Sequence, residues 1–324
     1  MRALVLSNML PDAAHPERGR FVRDQVDALR SLPGAEVELY EFPPGGRALA
    51  RAPRELHERF GRARSDHRAA PGSAGRFDVV HAHFGLTAWP ALAVPARTRA
   101  LTVHGTDVRH PRTRLATVAV LPFIDLLAAA SAPLAAELPT RAARRRAVVL
   151  PCGVDLERFR PVPRGQARAE LGLPPDAPLL LFPADPARAA KRHDRALALA
   201  QACHAELLSL GGVDPARVPL WVNAASAVLV PSEREGFGLA VLEALACDVP
   251  VLATPVGIHG EALAGVEGTL CAPFELERWR AALEPHLRAE DPRVAGRASA
   301  ERFSARTMAE RVLAAWQEAL SRSG

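Results

Sequence analysis

Two glutamates eight residues apart carry the strongest chemical signal in this chain. Glu235 lies in Ser232-Glu-Arg-Glu-Gly-Phe-Gly238, and Glu243 follows in Leu239-Ala-Val-Leu-Glu-Ala-Leu-Ala246. The preceding apolar run Val228–Val230 reads as a strand, and the residues after Gly238 as a helix. Gly236 and Gly238 let a ligand come close to the main chain. The N–H groups of Phe237, Gly238 and Leu239, which open the helix and have no partner within it, form a site for an anion. Glu243 then stands among apolar neighbours, where an unpaired carboxylate costs several kcal/mol. The two hydroxyls of a ribose would satisfy it.

Other chemistry-bearing residues admit plainer readings. Forty of the 41 basic residues are arginine and one, Lys191, is lysine. In a chain biased toward Arg, Ala and Pro, that lysine is either chance or a place where a compact ammonium does what a guanidinium cannot. His81 and His83 share a strand face at period 2, a spacing that suits a metal. No third ligand is evident, and lining or anchoring a loop is the simpler role. Asp107, in His104-Gly-Thr-Asp107, reads as a turn cap before it reads as a catalytic group. The run Arg141–Arg146 reads as a solvated helix end. Cys152, Cys203, Cys247 and Cys271 form no C-x-x-C pair and read as small core residues, as expected in a reducing cytoplasm.

The elements that must position these groups alternate strand with helix. Strands are expected at Leu4–Ser7, Glu36–Tyr40, Phe77–His81, Ala100–His104, Leu126–Ala130 and Val148–Leu150. A helix is expected at Arg18–Arg30 and another around Leu86–Val94. After a hinge at Pro151–Asp155 and Pro161–Pro163 the alternation restarts. Strands follow at Leu179–Phe182, Leu207–Leu210, Val228–Val230, Val249–Leu252 and near Leu270, with helices at Arg192–His204, Leu239–Cys247, Leu276–Leu287 and Ser304–Leu320. This α/β pattern implies parallel sheets covered on both faces. The 324 residues then divide into two doubly wound domains, 1–160 and 161–324, facing each other across a cleft, with strand-end loops on both walls. The last helix is expected to pack back on the first domain. Arg47–Ala74 is expected to hold a helix and a mobile loop. Residues 1–160 carry 24 Arg against 16 acidic groups, net +8, and residues 161–324 carry net −3. Such an asymmetry suggests different partners for the two halves.

The pair Glu235-x7-Glu243 behind Glu-Gly-Phe-Gly resembles the signature of the retaining glycosyltransferases of family 4 (group 1), enzymes of the GT-B fold. Gly19-Arg-Phe-Val-Arg-Asp-Gln-Val26 resembles their first strand–helix turn. Val80-His-Ala-His83 and Leu101-Thr-Val-His-Gly-Thr-Asp107 resemble their next strand ends. Pro151-Cys-Gly-Val-Asp-Leu-Glu-Arg-Phe159 resembles the interdomain motif, with Cys152 where Asn is usual. Asp185-Pro-Ala-Arg-Ala-Ala-Lys-Arg-His193 resembles the basic loop on the donor diphosphate. Six pieces in order span nearly the whole chain.

The resemblance implies a sugar moved from a nucleotide diphosphate to a hydroxyl acceptor, with anomeric configuration retained. It makes Glu235 the contact to the transferred sugar and its reacting centre, and Glu243 the ribose ligand. Lys191 neutralises the leaving diphosphate, His104 contacts the donor sugar beside the acceptor, and Gly19 brings main-chain N–H groups near the phosphates. Gly236, Phe237, Gly238 and Leu239 complete the donor loop. The family's arginine falls on Pro186 here, which leaves Arg188 as its closest substitute and Arg192 next. The stretch Lys191–Glu235 is short for the family and lacks a strand–helix unit that commonly reads the base. Leaving-group charge is then stabilised by fixed cations and a helix end, without metal or other cofactor. No Asp-x-Asp pair follows a predicted strand.

Three other classes stand against this reading. A catalytically silent member that binds nucleotide sugar as a partner subunit is the main alternative, motivated by the shortened second domain and the displaced arginine. A dinucleotide oxidoreductase lacks its G-x-G-x-x-G after the first strand. Nucleic-acid binding lacks aromatics interleaved with the arginines. The short apolar run before Asn8 and Pro11 is no signal peptide, and Leu115–Leu138 is broken by Pro122, Asp125, Pro133 and Glu137. A cytoplasmic protein is expected, peripheral at the inner face of the membrane if its basic first domain meets anionic lipid or a lipid-linked acceptor.

Overall fold

A computed structural model describes residues 1–61 and 76–322. Its contacts divide the chain into two compact units. One holds Met1–Asp12, Arg18–Cys152 and Arg306–Gly324; the other holds Ala13–Glu17 and Gly153–Ala305.

The first unit is built on β1 (Arg2–Ser7), β2 (Glu36–Glu41), β3 (Phe77–His83), β4 (Ala96–Val103), β5 (Leu126–Ala129) and β6 (Val148–Val149). They form one sheet in the order β2-β1-β3-β4-β5-β6, with every pair parallel. The second unit has β7 (Leu179–Phe182), β8 (Glu206–Ser209), β9 (Ala227–Val230), β10 (Val251–Ala253) and β11 (Leu270–Cys271). Their order is β11-β10-β9-β7-β8, again all parallel. Strands β5, β7 and β9 are buried at every position, as strands covered by helices on both faces must be.

Both sheets reverse direction at their first strand. β1 lies between β2 and β3, and β7 between β8 and β9. At such a point the loops leaving two neighbouring strands turn to opposite faces and open a crevice at the carboxyl edge. The loops after β7 and β9 are the ones that carry Lys191 and Glu235.

Packing fixes these edges. Under β7 and β9 of the second unit lie Leu180, Phe182, Leu199, Leu229, Leu252, Trp279 and Leu283, all buried. Each such side chain stabilises the fold by roughly 1.5–3 kcal/mol. In the first unit, the final helix Ala305–Arg322 buries Trp316, whose indole Nε1 donates to His81 Nδ1 at 3.2 Å.

Several elements differ from the sequence expectation. β4 starts at Ala96, four residues before Ala100, because Phe77 of β3 pairs with Ala96. Two helices, Arg164–Leu171 and Val218–Ala224, pack on each other. The apolar pattern hides the first of them, because Arg168 occupies a core position, 1% exposed, and donates to the Ala224 carbonyl at 2.9 Å. The helix Gly46–Leu56 continues into one wider turn at His57–Gly61. The mobile loop expected from there to Ala74 lies, from residue 62, outside the described residues. No helix among the described residues is long and apolar enough to cross a membrane.

Candidate active site

In the second unit the loop after β7 meets the loop after β9. The main chain ties them first: Glu233 N–H donates to the Ala190 carbonyl at 2.9 Å. Arg192 then bridges Asp194 and Glu233, at 2.6 and 2.7 Å. Between these ties the Lys191 ammonium donates to both oxygens of Glu235, at 2.7 and 2.9 Å, and Ser232 Oγ adds a third bond at 2.8 Å. The Glu235 side chain is 8% exposed and that of Lys191 18%. Burial alone would push the Glu235 carboxyl up. The Lys191 charge and hydrogen bond, with Ser232, overcome it and hold the carboxyl below its usual value.

Gly238 precedes the helix Leu239–Ala246 with φ 111, a left-handed conformation suited to glycine. Within this helix Val241, Leu242, Ala244, Leu245 and Ala246 are buried, whereas Leu239, Ala240 and Glu243 are only partly covered. The spacing i, i+1, i+4 puts those three on one face. Gly236 is likewise partly covered, and Phe237 is buried with its ring edge-on to Phe303, centroids 6.3 Å apart. Arg188 sits one turn before Lys191, its carbonyl accepting the Lys191 N–H at 2.8 Å, but its exposed side chain does not join the Lys191–Glu235 pair.

A third loop, after β10, backs the same place and escaped the sequence reading. Ile258 N–H donates to the Phe237 carbonyl at 2.9 Å, and a Cβ on Gly257 would lie 2.1 Å from that same oxygen. His259, fully buried, donates from Nδ1 to the Thr254 carbonyl at 2.8 Å, and its ring lies against Gly238. The available signal was positional: Thr254-Pro-Val-Gly257 is another strand end with a glycine, beside the two that carry Lys191 and Glu235.

In the first unit the ends of β3 and β4 carry a column of histidines. His81 stacks on His83 with centroids 4.8 Å apart, and His83 on His104 at 5.1 Å. His83 Nδ1 and His104 Nε2 share a hydrogen bond of 2.9 Å, and His81 Nε2 bonds Thr102 Oγ1 at 2.7 Å. Since Trp316 donates to His81 Nδ1, the His81 proton is on Nε2. Phe21 and Phe84 enclose the His104 ring at 4.9 and 4.7 Å. Burial lowers His81 and His104 to about 3 and holds His83 well below its usual value, so the column is neutral near pH 7. Among the described residues no group of three or more His, Cys, Asp or Glu is arranged to hold a metal ion.

Asp107 is the cap of the turn that presents His104. Its carboxylate accepts the N–H groups of Gly105, His104 and Gly85, at 2.8, 3.0 and 3.3 Å. Burial raises it to about 6 against those bonds. Gly19 precedes the helix Arg20–Arg30 with φ 71, and a Cβ there would lie 2.4 Å from the Met9 carbonyl oxygen. Its glycine therefore has a packing reason of its own. Beside it a cavity of about 240 Å³ is lined by Asn8, Met9, Arg18, Phe84, Thr106 and Asp107 among others. The run Arg141–Arg146 is a helix, with Arg144 and Arg146 donating to carbonyls of Leu138, Leu121 and Ile124. All four cysteines are free, Cys152 and Cys247 buried.

Comparison with known proteins is consistent over both units. Residues 19–158 match the family described as Glycosyltransferase Family 4, and residues 189–303 the family described as Glycosyl transferases group 1. A relative named D-inositol 3-phosphate glycosyltransferase, from Thermobispora bispora, is 32% identical, covering 76% of this chain and 72% of its own. One of that name from Actinosynnema mirum is 33% identical, covering 76% and 73%. Among solved structures, sucrose-phosphate synthase from Thermosynechococcus elongatus superposes with TM-score 0.70 at 20% identity, covering 99% of each chain. Anabaena HepE in complex with UDP-glucose gives 0.65 at 18% identity, covering 98% of this chain and 100% of that one.

Proposed function

The chain belongs to the glycosyltransferases of family 4, with the GT-B fold and glycosyltransferase activity, and from that premise we propose which residues hold the donor and what reaction they perform. The donor is a nucleotide diphosphate sugar bound at the carboxyl edge of the second unit's sheet. The observation that carries this is the Lys191–Glu235 pair beside the open end of the helix Leu239–Ala246. There a cation and free main-chain N–H groups face the diphosphate, while a buried carboxylate held ionised faces the sugar.

As the glycosidic bond to phosphate breaks, charge grows on the diphosphate and the sugar carbon becomes oxocarbenium-like. Lys191 and the helix end stabilise the first, and Glu235 the second, from positions fixed before reaction. Glu243, on the same face as Leu239, binds the ribose hydroxyls. Arg188, whose side chain is exposed in the same loop as Lys191, supplies a second cation for the phosphates. In the first unit His104, neutral and held by His83 and Asp107, offers a hydrogen bond to substrate, and Gly19 offers main-chain N–H groups at the start of its helix. Transfer proceeds to a hydroxyl with retention and without a metal. The relatives named for D-inositol 3-phosphate make a phosphorylated cyclitol the first acceptor to try.

A thermal-shift screen with UDP, GDP, ADP and their sugars tests the donor reading. One nucleotide should stabilise the protein by roughly 2.7 kcal/mol at a hundredfold excess over Kd. Turnover with the matching sugar should survive EDTA, and NMR of the product should show the donor's anomeric configuration. No shift with any nucleotide would remove the donor site from this unit.

A second reading concerns the surface of the first unit. On the helix Pro111–Val120 and the turn after it, Leu115 is 72% exposed and Phe123 54%, alongside exposed Arg112 and Arg114. Apolar side chains flanked by cations suit peripheral contact with anionic lipid, each cation adding about 1 kcal/mol at the surface. Cosedimentation should show binding to anionic but not zwitterionic vesicles, weakening as salt rises. Equal, negligible binding to both would remove the membrane contact and leave the transferase reading intact.

A further inference from the structure

His259 has a feature that neither the fold nor the reaction above uses. Its Nδ1–H is engaged by the Thr254 carbonyl at 2.8 Å, so in the neutral ring Nε2 carries a lone pair. That nitrogen is buried and has no hydrogen-bond partner among the described residues. It points at the start of the helix Leu239–Ala246: a Cβ built on Gly238 would lie 2.4 Å from it. An unsatisfied acceptor is thus aimed at the place where the reading above puts an anion. A lone pair facing a phosphate repels it, whereas an imidazolium N–H there attracts it.

We propose that His259 is an ionisable partner of the donor diphosphate, taking a proton from solvent at Nε2 when the anion occupies the amino end of Leu239–Ala246. The proposal rests on the donor site argued above. In the free protein the ring is held neutral by burial, with Lys191 adding to that effect and Glu235 and the Thr254 bond opposing it. On its own helix, Glu261 is exposed and paired with Arg302 at 3.4 Å. From the neighbouring helix, Arg297 is tied to the carbonyls of Phe159, Ala246 and Leu156. A diphosphate adds two negative charges and reverses the balance at the ring. Gly238 then has two reasons to be glycine: its left-handed backbone, and the close approach of the ring that senses the ligand.

Titration calorimetry with UDP-glucose tests this, because a sugar diphosphate has no phosphate ionisation near neutral pH. Run at pH 7 in buffers of contrasting ionisation enthalpy, wild type should take up a proton on binding. Its affinity should fall as pH rises from 6.5 to 8, by up to roughly tenfold per unit for one proton. His259→Asn keeps a donor for Thr254 and removes the titrating nitrogen; His259→Gln puts an amide near Nε2. Both should bind with no proton uptake and a flat pH dependence, and thermal unfolding checks that each is folded. Binding without uptake in wild type, or uptake that persists in the variants, would overturn the proposal alone. Absence of any binding by wild type would overturn the donor reading and this proposal with it.

Discussion

Lys191→Ala is expected to lower turnover by at least roughly ten- to a hundredfold, the usual range for a lost preorganised charge. The structure adds a second consequence. Lys191 is also what keeps Glu235 ionised against burial, so the variant loses the diphosphate cation and raises the pKa of the carboxylate together. Stability should fall too, by less than the roughly 3–5 kcal/mol of a fully buried pair, since Lys191 keeps 18% of its side chain exposed. The sign with pH follows. Glu235 is depressed in the fold, so its contribution is fully present above the unfolded value of 4.5 and is lost as pH falls through the lower folded value. In Lys191→Ala that contribution is missing at neutral pH. The double variant Lys191→Ala/Glu235→Gln should recover stability, because no buried charge is left alone, but not activity. Urea unfolding beside steady-state kinetics separates the two effects. Full activity in Lys191→Ala would remove the lysine from the reaction, and a double variant less stable than the single one would mean the pair is not coupled as drawn.

The first unit should be acid-sensitive well above the carboxylate range. His81, His83 and His104 are held neutral by burial, the first and last near 3, whereas in the unfolded chain they protonate near 6.5. Between those values the unfolded state binds more protons, so stability falls as pH drops below 6.5. Each fully buried histidine contributes about 1.4 kcal/mol per pH unit. His104 contributes less, being partly exposed. Asp107 works the other way between 3.8 and about 6, because the folded state keeps its proton there. The histidines outnumber Asp107, so the net effect of acid from pH 6 to 4 is a loss of stability. Urea melts from pH 7.5 to 4.5, followed by tryptophan fluorescence that includes the buried Trp316, should show midpoints falling with acid. His83→Asn should flatten the slope. A midpoint independent of pH across that range would show that the column is not held neutral.

Much of the architecture was legible because parallel, doubly covered strands leave a plain trace. Leu126–Ala129, Leu179–Phe182 and Ala227–Val230 are short apolar runs between helices, and each is a buried strand. The trace fails where a polar residue takes a core position, as Arg168 does, or where pairing extends a strand into charged residues, as at Ala96–Arg99 in β4. Carbonyls satisfy the first and a neighbouring strand the second, and neither partner is close in sequence.

By itself the amino-acid sequence determined the local chemistry: Glu235 and Glu243 at helical spacing around two glycines, one lysine among forty arginines, histidines at period 2 and at a strand end. These are properties of residue type and short-range geometry, and they need no partner. Tertiary structure alone decided which groups meet. Lys191 and Glu235 touch across 44 positions because β9 lies beside β7 rather than next to β8, which places their loops at one edge. His259 joins them because β10 is the next strand over, and Trp316 reaches His81 across 235 positions through the last helix. Strand order is set by how apolar faces share a core, a property of the whole chain, so no window of the sequence contains it.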